Sequence, residues 1–385
     1  MIKYGCQNIN DADIDAVTSV LRSDYLTTGP KVPEFEASLR KIIGVEHAIA
    51  VNSGTAALHL SCLGLDLGQK DRLWTTPISF VASANCGRYC GAEVDFCDID
   101  PDSWNIDANA LEKKLEIASI QNILPKILVV VHFSGVPCEM DKISELATHY
   151  GVRVIEDASH ALGATYQGQA VGDCTYSDST VFSFHPVKLI TTAEGGAITT
   201  AKRDLYDSLT LLRTHGITRN KDQMVGELQG PWIYEQLSLG YNYRMNDLSA
   251  SLGLSQLNRL GKFIQRRQQI AQYYSEKFME LPISMQRIEK DMKSAHHLYV
   301  VRLQGEKVEH ERKRIFEYMR ERGIGVNVHY IPIHLQPYYR DQGHQYGDYP
   351  QSEEFYRGCL SLPIHPSLTD AEVETVAETF VRGVR

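Results

Sequence analysis

Between about residues 45 and 200 the chain alternates short, almost uninterrupted apolar runs with longer stretches of helical periodicity. HAIAVN (47–52), RLWTTP (72–77), AEVDFCDID (92–100), ILVVVHF (127–133), VRVIED (152–157) and TVFSFHP (180–186) read as buried strands. Helices are predicted from Thr55 to about Leu67, over FVASANCGRYCG (80–91) and over Met140–Tyr150. Apolar strands separated by helices predict an α/β architecture, a mainly parallel sheet covered on both faces. Past residue 245 the pattern changes. A long helical stretch from Asp247 to about Leu281 is followed by a strand at HLYVVRL (297–303) and a helix at ERKRIFEYMRERG (311–323). A further strand at GVNVHYI (325–331) and a closing amphipathic helix at DAEVETVAETFVRGV (370–384) complete a smaller α+β unit. The expected division is a large domain over 1–245 and a small C-terminal one over 246–385.

Composition narrows the field without choosing a function. The 385 residues, 43% hydrophobic and 23% charged, suffice for both units of an ordinary globular chain. A formal charge of −9 argues against general affinity for nucleic acid or an anionic membrane. It leaves a small anionic ligand open, since that needs only local positive potential. The opening MIKYGCQNINDADID holds no apolar signal core, and no run approaches the roughly 18 apolar residues of a spanning helix. The cytoplasm is the expected compartment. Eight cysteines are scattered, and Cys86 and Cys90, four apart, lack the second pair that a zinc set needs. They are expected to be reduced thiols acting as small hydrophobes, and no metal is expected.

Ligands of such sheets gather beyond the carboxyl ends of the strands, and three segments put chemistry there. In VNSGTAALHL (51–60) a strand ends, Asn52-Ser53-Gly54-Thr55 turns and a helix begins. A helix start of this kind holds a phosphate on free amides, although a plain Ser/Thr cap looks the same. VRVIEDASHALG (152–163) delivers Glu156 and Asp157 to the sheet edge with His160 three residues on; helix capping is the ordinary alternative. In STVFSFHPVKLITTAEGGAIT (179–199) a strand ends, His185-Pro186 breaks it, and Lys188 follows. A lysine just past a buried strand is open to desolvation, which makes its amine nucleophilic, whereas most lysines are simply solvated. Anion cradle, acid and Ser-x-His-x-x-Lys occur in that order on successive strand ends, and together they match the needs of pyridoxal 5'-phosphate. That cofactor takes a phosphate site, a lysine for its aldehyde and a carboxylate for its ring nitrogen. Phe80, beyond another strand end, could stack on the ring.

The chain resembles the sugar aminotransferases of the DegT/DnrJ/EryC1/StrS family over essentially its whole length. The resemblance is carried by SDYLTTGP (23–30), VNSGTAALHL, TTPISFVA (75–82), VIEDASHALG, FSFHPVK, TTAEGGA, LRTHGI (212–217), GYNYRMND (240–247) and LSLPIHPSLTD (360–370). It implies the fold type I architecture of pyridoxal phosphate-dependent transferases. Lys188 would be the catalytic residue, holding the cofactor and moving a proton. Asp157 would pair with the pyridine nitrogen, His160 would lie beside the ring, and Phe80 would stack on it. Gly54, Thr55 and Ser183 would hold the phosphate. Asn242 would reach the phosphate of a neighbouring subunit, which implies a homodimer with its active site at the interface.

Within the family, FSFHPVKLITTAEGG and VHYIPIHLQPYY (328–339) most resemble the branch of pseudaminic acid biosynthesis. That branch implies glutamate as donor and a UDP-linked 4-keto-6-deoxy sugar, aminated at C4, as acceptor. Tyr4, the run Asp24-Tyr25-Leu26-Thr27, and His329-Tyr330-Ile331-Pro332 resemble the stretches bordering the nucleotide sugar. Perosamine- and legionaminic-type aminotransferases are alternatives within the class. A catalytically silent relative acting as a regulator is a rival disfavoured by the complete Asp157, Ser183 and Lys188 set. A dehydrogenase would want G-x-G-x-x-G where NSGTAAL stands.

Overall fold

The apolar runs pair into one seven-stranded sheet: β1 (His47–Val51), β2 (Arg72–Thr75), β3 (Glu93–Phe96), β4 (Ile127–Val131), β5 (Arg153–Asp157), β6 (Ser179–Ser183) and β7 (Gly196–Thr200). The computed structural model describes residues 1–226 and 230–385. Strand order is β1-β7-β6-β5-β4-β2-β3. Six strands run parallel, and β7 enters antiparallel between β1 and β6. β4 shows why these runs become strands: Ile-Leu-Val-Val-Val is buried at all five positions. Ile127 and Val129 join one core beneath helix Gly54–Gly64, while Leu128 and Val130 join another beneath Leu111, Leu115 and Ile143. Side chains of alternate residues leave opposite faces, so a strand covered on both sides has no polar positions.

A third core packs Phe35 and Leu39 with Phe182, Phe184, Ala250, Leu257 and Leu260. Farther on, β8 (Ile283–Met285), β9 (Tyr299–Leu303) and β10 (Cys359–Leu362) form an antiparallel sheet in that order. Helices Leu260–Phe278, Val308–Glu321 and Asp370–Val384 cover it through Tyr274, Phe278, Met319, Val376 and Phe380. The last helix opens on a reciprocal capping pair, Thr369 with Glu372.

Two expectations are corrected. The long helix from Asp247 is two helices, Asp247–Leu257 and Leu260–Phe278. At the break Arg259 bonds Asn8 Oδ1 at 2.6 Å and pairs with the buried Asp13 carboxylate. GVNVHYI is not a strand either. Its composition favours one, but it forms a single bridge, Asn327 to Ser361 on β10, with Ile324 just before it bridging Ile2. It then leaves the small sheet for the edge of the large one, where the Ile333 amide donates to Pro77 O at 2.9 Å.

Candidate active site

The carboxyl ends of β1, β5 and β6 open onto a cavity of about 470 Å³. Its floor begins with the helix at Gly54. Ser53 caps that helix, its hydroxyl accepting from the Ala56 amide at 3.0 Å. The first amides of a helix have no partner within it, so those of Gly54 and Thr55 are available to an anion. The bare Cα of Gly54 lets the helix start touch β6: a Cβ there would stand 2.9 Å from Ser183 Cβ. Gly196 of β7 is pressed harder, since its Cβ would meet Ser53 O at 2.6 Å and Gly54 N at 2.7 Å. Two glycines thus draw the Ser53–Thr55 turn and Ser183 into one cradle.

Asp157, at the end of β5, is buried. Its Oδ2 accepts from Ser83 Oγ at 2.6 Å and its Oδ1 from the Ser159 amide at 3.1 Å. Lys188 sits half-buried on the cavity wall. Loss of hydration pulls its ammonium down to about 8, although the Asp157 carboxylate opposes that fall. His160 is held well below the usual histidine range by burial, then by Lys188 and His329, so it is neutral. Its Nε2 meets the Tyr330 hydroxyl at 3.2 Å, while its buried Nδ1 has no partner among the described residues. His329 is pushed down to about 3 by burial and by Lys188. The His297 ring lies 4.4 Å from that of His160. The backbone of His297 is pinned by the buried Arg267, whose Nη1 donates to the carbonyls of His296, His297 and Ile364 at 2.9–3.1 Å.

Of the residues expected at the site, Tyr4, Gly54, Thr55, Phe80 and Asp157 line this cavity, as do His160, Ser183, Lys188, His329 and Tyr330. Phe80 stands at the mouth, 59% exposed. Asp24, Tyr25, Leu26 and Thr27 are exposed and do not line it. Neither does Ile331, which is exposed, nor Pro332, which is buried. Asn242 is exposed and also off this cavity, its carbonyl accepting from the Asn52 side chain at 3.4 Å. A larger groove, about 750 Å³ between helices Asp11–Leu21, Lys31–Ile43 and Asp247–Leu257, contains none of these groups. Chemistry and not size selects the site.

The DegT/DnrJ/EryC1/StrS aminotransferase family matches residues 7–381. The chain belongs to this family. This aminotransferase is 39% identical, over 99% of its length and 96% of the relative's, to the UDP-4-amino-4,6-dideoxy-N-acetyl-beta-L-altrosamine transaminase of Campylobacter jejuni. In structure it is similar to Spr1654 from Streptococcus pneumoniae in its PMP form, with TM-score 0.91 and 31% identity, covering 100% of this chain and 99% of that one. It is also similar to Helicobacter pylori PseC, an aminotransferase involved in the biosynthesis of pseudoaminic acid, with TM-score 0.90 and 32% identity over the same shares.

The family's cofactor is pyridoxal phosphate, and the residues in hand fit it. The glycine-floored cradle suits a phosphate, Lys188 supplies an amine of lowered basicity, and the orphaned His160 Nδ1 offers an unsatisfied polar atom on the same wall. Three groups in or just behind the cavity wall of the aminotransferase were not anticipated. Ser79 and Ser83 are isolated serines around a helix start, with no pattern to mark them. His297 was visible only as half of the adjacent pair His296-His297, which spacing ties to no metal motif.

Proposed function

We propose that this aminotransferase moves an amino group from glutamate to C4 of UDP-4-keto-6-deoxy-N-acetyl-β-L-altrosamine, the amination step of pseudaminic acid biosynthesis. The observation that carries the chemistry is Lys188, an amine brought down to about 8 on the wall that also bears Asp157. The choice of sugar is supported by the Campylobacter relatives, 39% identical over nearly the whole chain, and by the likeness to PseC.

Pyridoxal phosphate supplies, when bound, an aldehyde for a lysine amine and a ring that takes up the electron pair released at the substrate carbon. Gly54 and Thr55 give backbone amides, and Ser183 its hydroxyl, to the phosphate. Asp157 would accept a hydrogen bond from the ring nitrogen and keep it protonated. Phe80 would stack on the ring, and neutral His160 would lie beside it. Lys188 would hold the aldehyde and would serve as general base at glutamate's α-carbon and general acid at the sugar carbon. Glutamate leaves as 2-oxoglutarate before the keto sugar enters, so the kinetics are ping-pong.

Tyr4, His329 and Tyr330 face the acceptor sugar. Asp24, Tyr25, Leu26, Thr27, Ile331 and Pro332 belong to the loops bordering the nucleotide. Asn242 serves the phosphate of a second copy in a homodimer, a role consistent with its exposure away from its own cavity.

Mass spectrometry and NMR of products from UDP-linked 4-keto-6-deoxy-N-acetylhexosamine isomers, with glutamate, test the reading. The 4-amino product of the L-altro isomer is expected, and amination of only GDP- or dTDP-linked keto sugars would overturn the choice of acceptor. Lys188→Ala should lose the visible absorbance of the lysine-linked cofactor together with turnover.

A further inference from the structure

Asp157 has an oxygen engaged behind the cavity wall. Ser83 Oγ lies 2.6 Å from Asp157 Oδ2, and Ser79 Oγ lies 2.6 Å from Ser83 Oγ. Both serines are buried, Ser83 completely. Ser79 lines the cavity and Ser83 does not. The two are set four residues apart by the turn that leads into helix Ala82–Tyr89, in which the Ser83 amide donates to Phe80 O at 3.2 Å. The same turn therefore places Phe80 at the mouth and the two hydroxyls behind it.

Proton counting gives this chain a direction. An ionised carboxylate only accepts, so the Ser83 hydroxyl donates to Asp157. Ser83 has then spent its one proton and must accept from Ser79. Ser79, its own proton committed, turns only lone pairs toward the cavity. At the other carboxylate oxygen the Ser159 amide donates. With a donor on each oxygen, the plane of the carboxylate is set before any ligand arrives.

We propose that Ser83 is a positioning residue for Asp157, that Ser79 is the outer member of the relay, and that Ser79 meets a hydrogen-bond donor on the bound ligand. The inference rests on the assignment of Asp157 to the cofactor's ring nitrogen. A hydrogen bond to a charged acceptor is among the stronger ones, and its loss weakens binding by about tenfold.

The test is titration of the apoenzyme with pyridoxal phosphate, followed by steady-state kinetics of the loaded enzyme. Ser83→Ala should raise the cofactor dissociation constant about tenfold and lower kcat with little change in KM for the sugar. Ser83→Thr, which keeps the hydroxyl, should restore both. Ser83→Cys keeps the volume with a weak donor and should behave like the alanine variant, which makes the test readable if alanine unfolds the protein. Ser79→Ala, leaving the inner bond in place, should show a smaller loss in the same direction. Wild-type affinity in Ser83→Cys, or a threonine variant no better than cysteine, overturns the relay. Asp157→Ala separates the two readings. If it retains full cofactor affinity, the Asp157 assignment fails; if it loses the cofactor while Ser83→Cys binds normally, the relay alone fails.

Discussion

Replacing Gly54 with alanine puts a Cβ 2.9 Å from Ser183 Cβ and 3.2 Å from Ser183 Oγ. Ser183 Oγ can rotate away, but Ser183 Cβ cannot, because it is fixed to the backbone at the end of β6, which pairs with β7 through Ser183 and Gly196. The helix start must therefore back off from the strand by a few tenths of an ångström. Overpacking of this kind costs about 1–3 kcal/mol. Gly54 is not in the left-handed region, so alanine is not strained there, and its better helix propensity returns up to about 1 kcal/mol. The fold should lose little, whereas the displaced atoms are the ones proposed to hold the phosphate. If the displacement falls on ligand binding, pyridoxal phosphate affinity drops between about 5-fold and 150-fold. Fluorescence titration of the apoenzyme measures that affinity, and thermal unfolding of the same apoprotein reports the fold. An unchanged cofactor affinity, or a large loss of thermal stability without any loss of affinity, would refute the reasoning.

Lys188 provides a pH test: with its ammonium at about 8 instead of 10.5, acylation of the apoenzyme by acetic anhydride should rise through a midpoint near 8. Because the Asp157 carboxylate opposes the fall, Asp157→Asn should move that midpoint lower, and labelling that climbs without inflection to about pH 10 would contradict the desolvation argument. Cys90 is brought down to about 6, first by a hydrogen bond from Cys62, against the effect of burial, and then by His59. The lowering favours the thiolate, so iodoacetamide should modify Cys90 ahead of Cys6, whose thiol burial raises, and Cys62→Ala should slow the reaction at Cys90.

The strand runs were legible because burial on both faces removes polar residues, as in β4, and no other soluble element of that length looks so uniformly apolar. Lys188 was legible as well, since a buried strand, a His-Pro break and a lysine are local facts of the chain. The direction of β7 was not, because Gly-Ala-Ile-Thr-Thr reads the same whichever way it is laid. GVNVHYI misled for a related reason: strand propensity describes what a segment could pair with, and here its bridge is to the single residue Ser361. Ser79, Ser83 and His297 become functional candidates only through contacts with Asp157 and His160, which have no counterpart in sequence spacing.

The antiparallel entry of β7 also bears on how the protein comes to fold. Among the described strands of the large sheet β1 pairs with β7 alone, so the first strand of the sheet waits for a partner that arrives only at residue 196. Contacts between segments so distant in sequence require a long loop to close and form slowly. Both arms of the proposed phosphate cradle meet at Gly196, which faces Val51 on one side and Ser183 on the other. The cradle therefore does not exist in any shorter nascent chain, and pyridoxal phosphate cannot template the first half of the sheet. It can act on folding only at the end, by drawing the equilibrium toward a sheet already closed.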